Sequence, residues 1–215
     1  MTPDEFGRHL HTAGHVSRET LSPETVDRLT VYADTLRAWQ PRINLVSNKS
    51  LDDLWRRHFL DSAQLARWIA CDHRVLDLGS GAGFPGLVLA IVTGASVVLA
   101  ESDARKCAFL REVRRLTDAP AEVAEGRIEN LETASGFDVV TARALTTLSG
   151  LLDHAAPHLK SDGFCLFSKG ARARNELTDA KKVWNMKVNS YQSLSGSGGT
   201  VLQIGNLTRG RPHDY

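Results

Sequence analysis

The residues with the clearest chemical purpose are three closely spaced glycines, Gly79, Gly81 and Gly83, directly after the apolar run Val75-Leu-Asp-Leu78. Glycine lets the main chain enter left-handed conformations and lets a ligand approach the amides. A helix starting near Gly86 would aim those amides at an anion. Asp77 precedes the first glycine by two residues. Through water or an amide, its carboxylate could hold the ammonium of an amino-acid moiety, which S-adenosylmethionine carries. Gly-x-Gly-x-Gly after a strand ending Asp-Leu is the usual loop for that ligand. The overlapping Gly81-x-Gly83-x-x-Gly86 also fits a dinucleotide. Against a dinucleotide, the glycines begin immediately at Gly79, and Asp77 stands where dinucleotide folds keep an apolar residue.

Glu101 closes the next apolar run, 22 residues after Gly79. A carboxylate there accepts hydrogen bonds from ribose hydroxyls, for either class of ligand. Ser102 and Asp103 extend this segment, and Asp103 reads first as a helix cap. Ile128 is placed to flank an adenine ring, with a main-chain amide near Glu129 for a ring nitrogen. Arg143 follows the apolar run from Phe137, at the strand end where open α/β sheets put their active sites. It is the candidate catalytic residue, touching cofactor or target. The segment Thr141-Ala-Arg-Ala144 is not the Asp/Asn-Pro-Pro-Tyr of exocyclic-amine methylation. None of Cys71, Cys107 and Cys165 follows proline, as a nucleophile for pyrimidine carbon usually does. A target with its own lone pair, such as purine N7, needs neither. Trp39, Phe59 and Phe84 are candidates to stack on a base.

These residues need a scaffold. From Arg74 onward, short apolar runs alternate with amphipathic stretches, which reads as an α/β fold with a mostly parallel sheet. Lys187–Tyr191 and Thr200–Ile204, around the Ser/Gly stretch Ser193–Gly199, suggest a closing antiparallel hairpin after a last helix at Asn175–Trp184. The first seventy residues read as helical. Ser22-Pro23 caps a helix whose apolar face is Val26, Leu29, Tyr32, Ala33, Leu36 and Trp39, stopped by Pro41. Ser50 and Asp53 resemble a capping box opening a second helix through Ile69. Residues 1–70 thus form a helical extension and 71–215 the α/β domain. His9, His11 and His15 fit no strong metal motif, so no metal is expected.

At 215 residues, 42% apolar and 24% charged, the chain can bury a real core. Its longest apolar run, Gly86 to Val92, is too short to span a membrane, and three cysteines fit no disulfide framework. A cytoplasmic protein, a monomer off the membrane, is expected. The net charge of +1 hides an asymmetry: residues 169–215 hold eight Lys/Arg against three Asp/Glu. A basic end suggests a polyanionic partner.

The motifs together resemble the RsmG/GidB family, the guanine-N7 methyltransferases of 16S ribosomal RNA. The resemblance runs from about Thr30 to Gly170. It rests on Trp39…Ile43-Asn-Leu45, Arg57-His-Phe-Leu-Asp-Ser62, Leu76-Asp-Leu-Gly-Ser-Gly-Ala-Gly-Phe-Pro-Gly86, Phe137-Asp…Ala142-Arg-Ala144 and Lys169-Gly170. It implies a class I S-adenosylmethionine-dependent methyltransferase fold, Rossmann-like, with an N-terminal helical extension, and 16S ribosomal RNA or the small subunit as partner. It implies cofactor contacts at Gly79, Phe84, Glu101–Asp103, Ile128-Glu129 and Arg143. Arg57, His58, Lys169, Arg172, Lys181 and Lys182 are the expected RNA contacts. The sequence departs from the family at Gln40, at Val46 and at Gly198-Gly-Thr200, where an arginine is usual; Arg209 and Arg211 could substitute. The rival readings are a nicotinamide-dependent oxidoreductase, a non-catalytic RNA-binding module and a methyltransferase of protein or small molecules.

Overall fold

Residues 1–14, 21–131, 136–143, 145–196 and 198–210 are described by a computed structural model, so His15, Ala144 and Arg211 lie outside the described residues. Local sequence explains the first two helices. Thr2 accepts from the Glu5 amide at the start of α1 (Pro3–Thr12), and Glu5 reaches back to the Thr2 amide. Ser22 caps α2 (Pro23–Trp39), as its position before Pro23 predicts. Leu29, Tyr32, Ala33 and Leu36 are fully buried along its inner face.

The following stretch departs from expectation. Ser47, not Ser50, caps the short α3 (Asn48–Leu51). In place of one helix come a π-helical turn at Trp55–Leu60, α4 (Asp61–Ala63) and a 3-10 turn at Gln64–Trp68. The apolar pairs Leu54/Phe59 and Trp55/Leu60 are five residues apart, a spacing that the wider i→i+5 turn puts on one face. All four side chains are buried.

Then come β1 (Arg74–Leu78), α5 (Gly86–Thr93), β2 (Ser96–Glu101), α6 (Ala104–Thr117), β3 (Ala121–Glu125), β4 (Phe137–Arg143), α7 (Leu148–Ala155), β5 (Leu159–Lys169), α8 (Ala173–Ala180), β6 (Trp184–Gln192) and β7 (Thr200–Arg209). Across the seven-stranded sheet the order is β3-β2-β1-β4-β5-β7-β6. The first five strands are parallel, and β7 runs antiparallel to both β5 and β6. The closing hairpin is therefore present. The last helix is shorter than predicted, because Trp184 is the first residue of β6 and pairs with Arg209. The helix after β4 starts at Leu148, with Thr147 as its cap.

Alternation along β1 divides its side chains between two cores. Val75 packs with α2, α5 and α6, while Leu76 and Leu78 pack with α7 on the other face. Asp77 shares the Val75 face and so meets α5. The helical extension shares this core: Tyr32 stacks on Phe84 with centroids 5.3 Å apart, meets Phe59 edge-on at 5.1 Å, and donates its hydroxyl proton to the Ala82 carbonyl. Each buried ring contributes on the order of 2 kcal/mol from burial. Strand order reverses direction between β1 and β4, and the carboxyl ends of these two strands open the crevice where such sheets bind ligands.

Candidate active site

The turn after β1 depends on glycine. Gly79, Gly81 and Gly83 have φ of +64°, +57° and +92°. Gly86 has ordinary φ but no room: a Cβ there would come within 2.6 Å of Asp77 Cβ and of Leu99. The bare backbone lets the start of α5 press onto Asp77, which accepts the Gly86 amide on Oδ2 at 3.1 Å. Its Oδ1 accepts the Thr141 hydroxyl at 2.8 Å across the β1–β4 pairing. Burial pushes this carboxyl up to about 6, against the pull of the Thr141 and Gly86 hydrogen bonds. Asp77 is thus fully buried under the loop and does not line the crevice. Any hold on an amino-acid moiety would be indirect, through water or an amide, as the sequence reading has it: in this parallel register its side chain belongs to the α5 face.

Above the loop lies a cavity of about 400 Å3, lined by Gly79, Gly81, Glu101, Ser102, Ile128, Glu129 and Arg143, as the sequence suggests, and also by Lys106, Leu145, Thr146 and His154. Glu101 organises its floor. Oε2 accepts the Gly81 amide at 2.8 Å, and Oε1 accepts the amides of Ser102 at 2.9 Å and Asp103 at 2.8 Å. Three of roughly four acceptor positions are therefore taken, leaving one for a ribose hydroxyl. Asp103 is the cap of α6, accepting from the Arg105 and Lys106 amides, and stands outside the cavity lining. Gly83 and Phe84 also stand outside it. Phe84 is buried between Tyr32, Phe59 and His58, so neither it nor Phe59 is free to stack on a base.

S-Adenosylmethionine fits these residues. A Cβ on Gly81 would meet only the Gly79 carbonyl oxygen, at 3.8 Å, so the space over the loop is open to a ligand. Glu101 offers an acceptor at one end, and Ile128 offers an apolar surface beside it. The volume suits a nucleoside with a short tail.

Arg143 closes the cavity. The π-helical turn and the residue after it bring three acceptors to its guanidinium: the Arg57 carbonyl oxygen at 3.2 Å, His58 Nδ1 at 2.7 Å and Asp61 Oδ2 at 3.8 Å. Its Cζ lies 5.2 Å above the Phe84 ring. Asp61 Oδ1 also accepts from Gln64, Ser193 and Ser195, which ties the β6–β7 connection to the same point. His58 is buried, and burial, then Arg143 and Arg57, lower its pKa to about 3. It is a neutral acceptor and not an RNA contact, which corrects the expectation from its basic neighbourhood.

Lys169 is likewise not a free cation. It is buried, paired with Glu176 at 2.7 Å and bonded to the Thr146 carbonyl at 2.7 Å. Arg57, Arg172, Lys181 and Lys182 are exposed, and Lys182 pairs with Asp179 at 2.7 Å. Beyond Leu145 and Thr146 a second cavity of about 650 Å3 opens toward Lys169, Arg172 and Glu176. A third, of about 160 Å3, lies beside Arg143 and Asp61. Sequence reasoning missed Asp61, Leu145, Thr146 and Glu176. Leu145 and Thr146 could have been found, since they directly follow β4 at the end where ligands bind. Asp61 and Glu176 reach the site only through the fold.

Seven strands in this order, a glycine loop after β1 and a carboxylate at the end of β2 define a class I S-adenosylmethionine-dependent methyltransferase. Two solved structures share the architecture. A TehB-like methyltransferase from Corynebacterium glutamicum has a TM-score of 0.53 at 16% identity, covering 73% of this chain and 96% of that one. TYW2 from M. jannaschii, solved with AdoMet, has a TM-score of 0.56 at 15% identity, covering 77% and 78%. A family model described as rRNA small subunit methyltransferase G matches residues 25–202, and the chain belongs to that family. It is 51% identical over 212 residues to the ribosomal RNA small subunit methyltransferase G of Paramagnetospirillum magneticum, covering 98% of each. To that of Rhodospirillum centenum it is 52% identical over 188 residues, covering 87% of each.

Proposed function

We propose that this protein methylates guanine N7 in small-subunit (16S) ribosomal RNA by direct in-line displacement, acting as a cytoplasmic monomer. Bound S-adenosylmethionine supplies an electrophilic methyl group on a sulfonium sulfur. The N7 lone pair forms the new bond as the carbon–sulfur bond breaks toward sulfur, and the positive charge passes to the purine. Neutral guanine carries no proton at N7, so no residue needs to remove one.

The observation that carries this reading is the pair of residues that the first and second cavities share. They are Leu145 and Thr146, and neither is titratable. Three ionisable groups around it are engaged, Lys169 by Glu176, Arg143 by His58 and Asp61, and Asp77 under the loop, while Lys106, Glu129 and His154 line the first cavity. Catalysis then consists of alignment. Gly79, Gly81 and Glu101 hold the cofactor, Arg143 binds its anionic edge or an RNA phosphate, and the second cavity receives the base. Purine N7 is hidden in the deep major groove of duplex RNA, so the base enters unstacked.

The test is product identity. The protein is incubated with methyl-labelled cofactor and small-subunit RNA from cells lacking the gene, and the RNA is digested to nucleosides. N7-methylguanosine as the labelled product supports the reading; label in any other nucleoside, or none in RNA, overturns it.

A further inference from the structure

Outside the cavities, Arg67, Trp68 and Tyr191 form a stack that the site described above does not use. Arg67 Cζ lies 4.6 Å over the Trp68 ring and 5.4 Å over the Tyr191 ring, and the two ring centroids are 4.9 Å apart. Arg67 is exposed and both rings are half-buried. Gln203 Oε1 accepts from the Tyr191 hydroxyl at 3.4 Å and from Asn189 Nδ2 at 3.2 Å, so side-chain amides border the cluster. Lys187, Asn189 and Tyr191 alternate onto one face of β6, and the first two are exposed.

Strand register relates this cluster to the crevice. Arg143 pairs with Ser168, Ser168 with Val201, and Val201 with Tyr191. Tyr191 therefore lies in the same row as Arg143 and on the same face of the sheet, three strands away, or about 14 Å at the usual strand spacing. One segment of the helical extension serves both ends of that row. Arg57, His58 and Asp61 meet Arg143, while Arg67 and Trp68 meet Tyr191.

A target base that leaves its stack to enter the crevice deprives its neighbours of a stacking partner. Aromatic rings and guanidinium planes replace such partners for single-stranded RNA. The two rings already hold the Arg67 guanidinium in place, so a base that lies on it costs little further freedom.

We propose that Arg67, held on Trp68 and Tyr191, is a stacking platform for an unpaired base that flanks the methylated nucleotide; this rests on the RNA substrate proposed above. The base lies on the guanidinium plane, and Lys187, further along the same face of β6, meets the phosphate backbone. Every base has a π-face, so the platform adds affinity and not a choice of sequence.

The experiment measures binding of the protein to small-subunit RNA from cells lacking the gene, at several salt concentrations. Arg67→Lys keeps the charge and removes the plane. It should weaken RNA binding by more than about threefold and leave the slope of log affinity against log salt as in wild type. Tyr191→Leu, which keeps an apolar side chain and removes the ring, should weaken RNA binding in the same way. Calorimetry with S-adenosylhomocysteine should give wild-type affinity for both variants. RNA affinity of Arg67→Lys within about threefold of wild type overturns the proposal even if Tyr191→Leu does not fold, because an ammonium then serves as well as the plane. Loss of RNA binding matched by an equal loss of S-adenosylhomocysteine binding also overturns it, and assigns the cluster to bracing the fold. A wild-type protein that binds small-subunit RNA no more tightly than an unrelated RNA of equal length overturns instead the reading on which the proposal rests.

Discussion

Arg143 Nη2 lies 2.7 Å from His58 Nδ1, and since a guanidinium can only donate, the imidazole accepts and keeps its own proton on Nε2. The helical extension thereby reaches the crevice at the strand ends: one π-helical turn and the residue after it hold the arginine that lines the cavity over the glycine loop. π-Helical turns often occur at functional sites.

This pairing makes a prediction about rescue. His58→Ala should lower the single-turnover rate by about tenfold or more through lost alignment of Arg143. His58→Asn, whose amide oxygen can replace Nδ1 as acceptor, should stay within about threefold of wild type. Arg143→Ala should cost about 10²-fold, and Arg143→Lys should recover only part, because an ammonium cannot bridge the same acceptors. Equal losses in His58→Asn and His58→Ala would show that the ring matters for packing alone.

The glycine loop allows strain to be separated from binding. Gly81 and Gly94 have φ of +57° and +72°, and a Cβ on either would meet no atom closer than 3.8 Å within the protein. Only Gly81 borders the cofactor cavity. Alanine at each should cost about 1 kcal/mol of stability from backbone strain. Calorimetry with S-adenosylhomocysteine should show weaker binding for Gly81→Ala and unchanged binding for Gly94→Ala. If both bind normally, the ligand does not approach Gly81.

Asp77 gives a stability signature with pH. Its folded pKa is raised from the usual 3.8 to about 6, so the folded state holds the proton more tightly than the unfolded state does. The stabilisation from that proton is complete below about pH 4 and is lost as pH rises through about 6, amounting to up to about 3 kcal/mol. Asp77→Asn keeps an acceptor for Gly86 and removes the titration. Its stability relative to wild type, from denaturant unfolding, should therefore rise between pH 4 and pH 7. A constant difference across that range would show that burial does not perturb this carboxyl.

Much of this was readable from sequence because it is local. Glycines at 79, 81 and 83 turn a strand into a loop wherever it lies, and Ser22-Pro23 begins a helix by bonds to its own neighbours. The cavity lining at Glu101, Ile128 and Arg143 follows from strand ends in a parallel sheet. Burial was not legible to the same degree. Lys169 and His58 read as cations for RNA, yet Glu176 reaches Lys169 across the turn into α8 and Arg143 meets His58 from 85 residues along the chain. Asp77 read as an indirect hold on the ligand, and the alternation of side chains along β1 does not by itself say which face carries α5. The π-helical turn was missed because a five-residue apolar spacing looks like an irregular α-helix.

Exposed cations remain for RNA. Lys181, Lys182 and Lys187 are exposed between α8 and the middle of β6. Replacing all three with glutamine should weaken RNA binding and flatten the slope of log affinity against log salt by up to about three phosphate equivalents. Asp179 already pairs with Lys182, so its share should be smallest. An unchanged slope would assign RNA binding to another face.

Transfer without a base has its sharpest test in the pH dependence of the chemical step, measured as single-turnover methylation of small-subunit RNA from about pH 6.5 to 8.5. With N7 unprotonated, Arg143 charged and His58 neutral far above its pKa of about 3, neither member of the His58–Arg143 pair changes state in that window. The rate should be flat for wild type, and lower but still flat for His58→Asn. A tenfold rise per pH unit in wild type that disappears in His58→Asn would show that a proton is removed before transfer, and would contradict direct attack by a free lone pair.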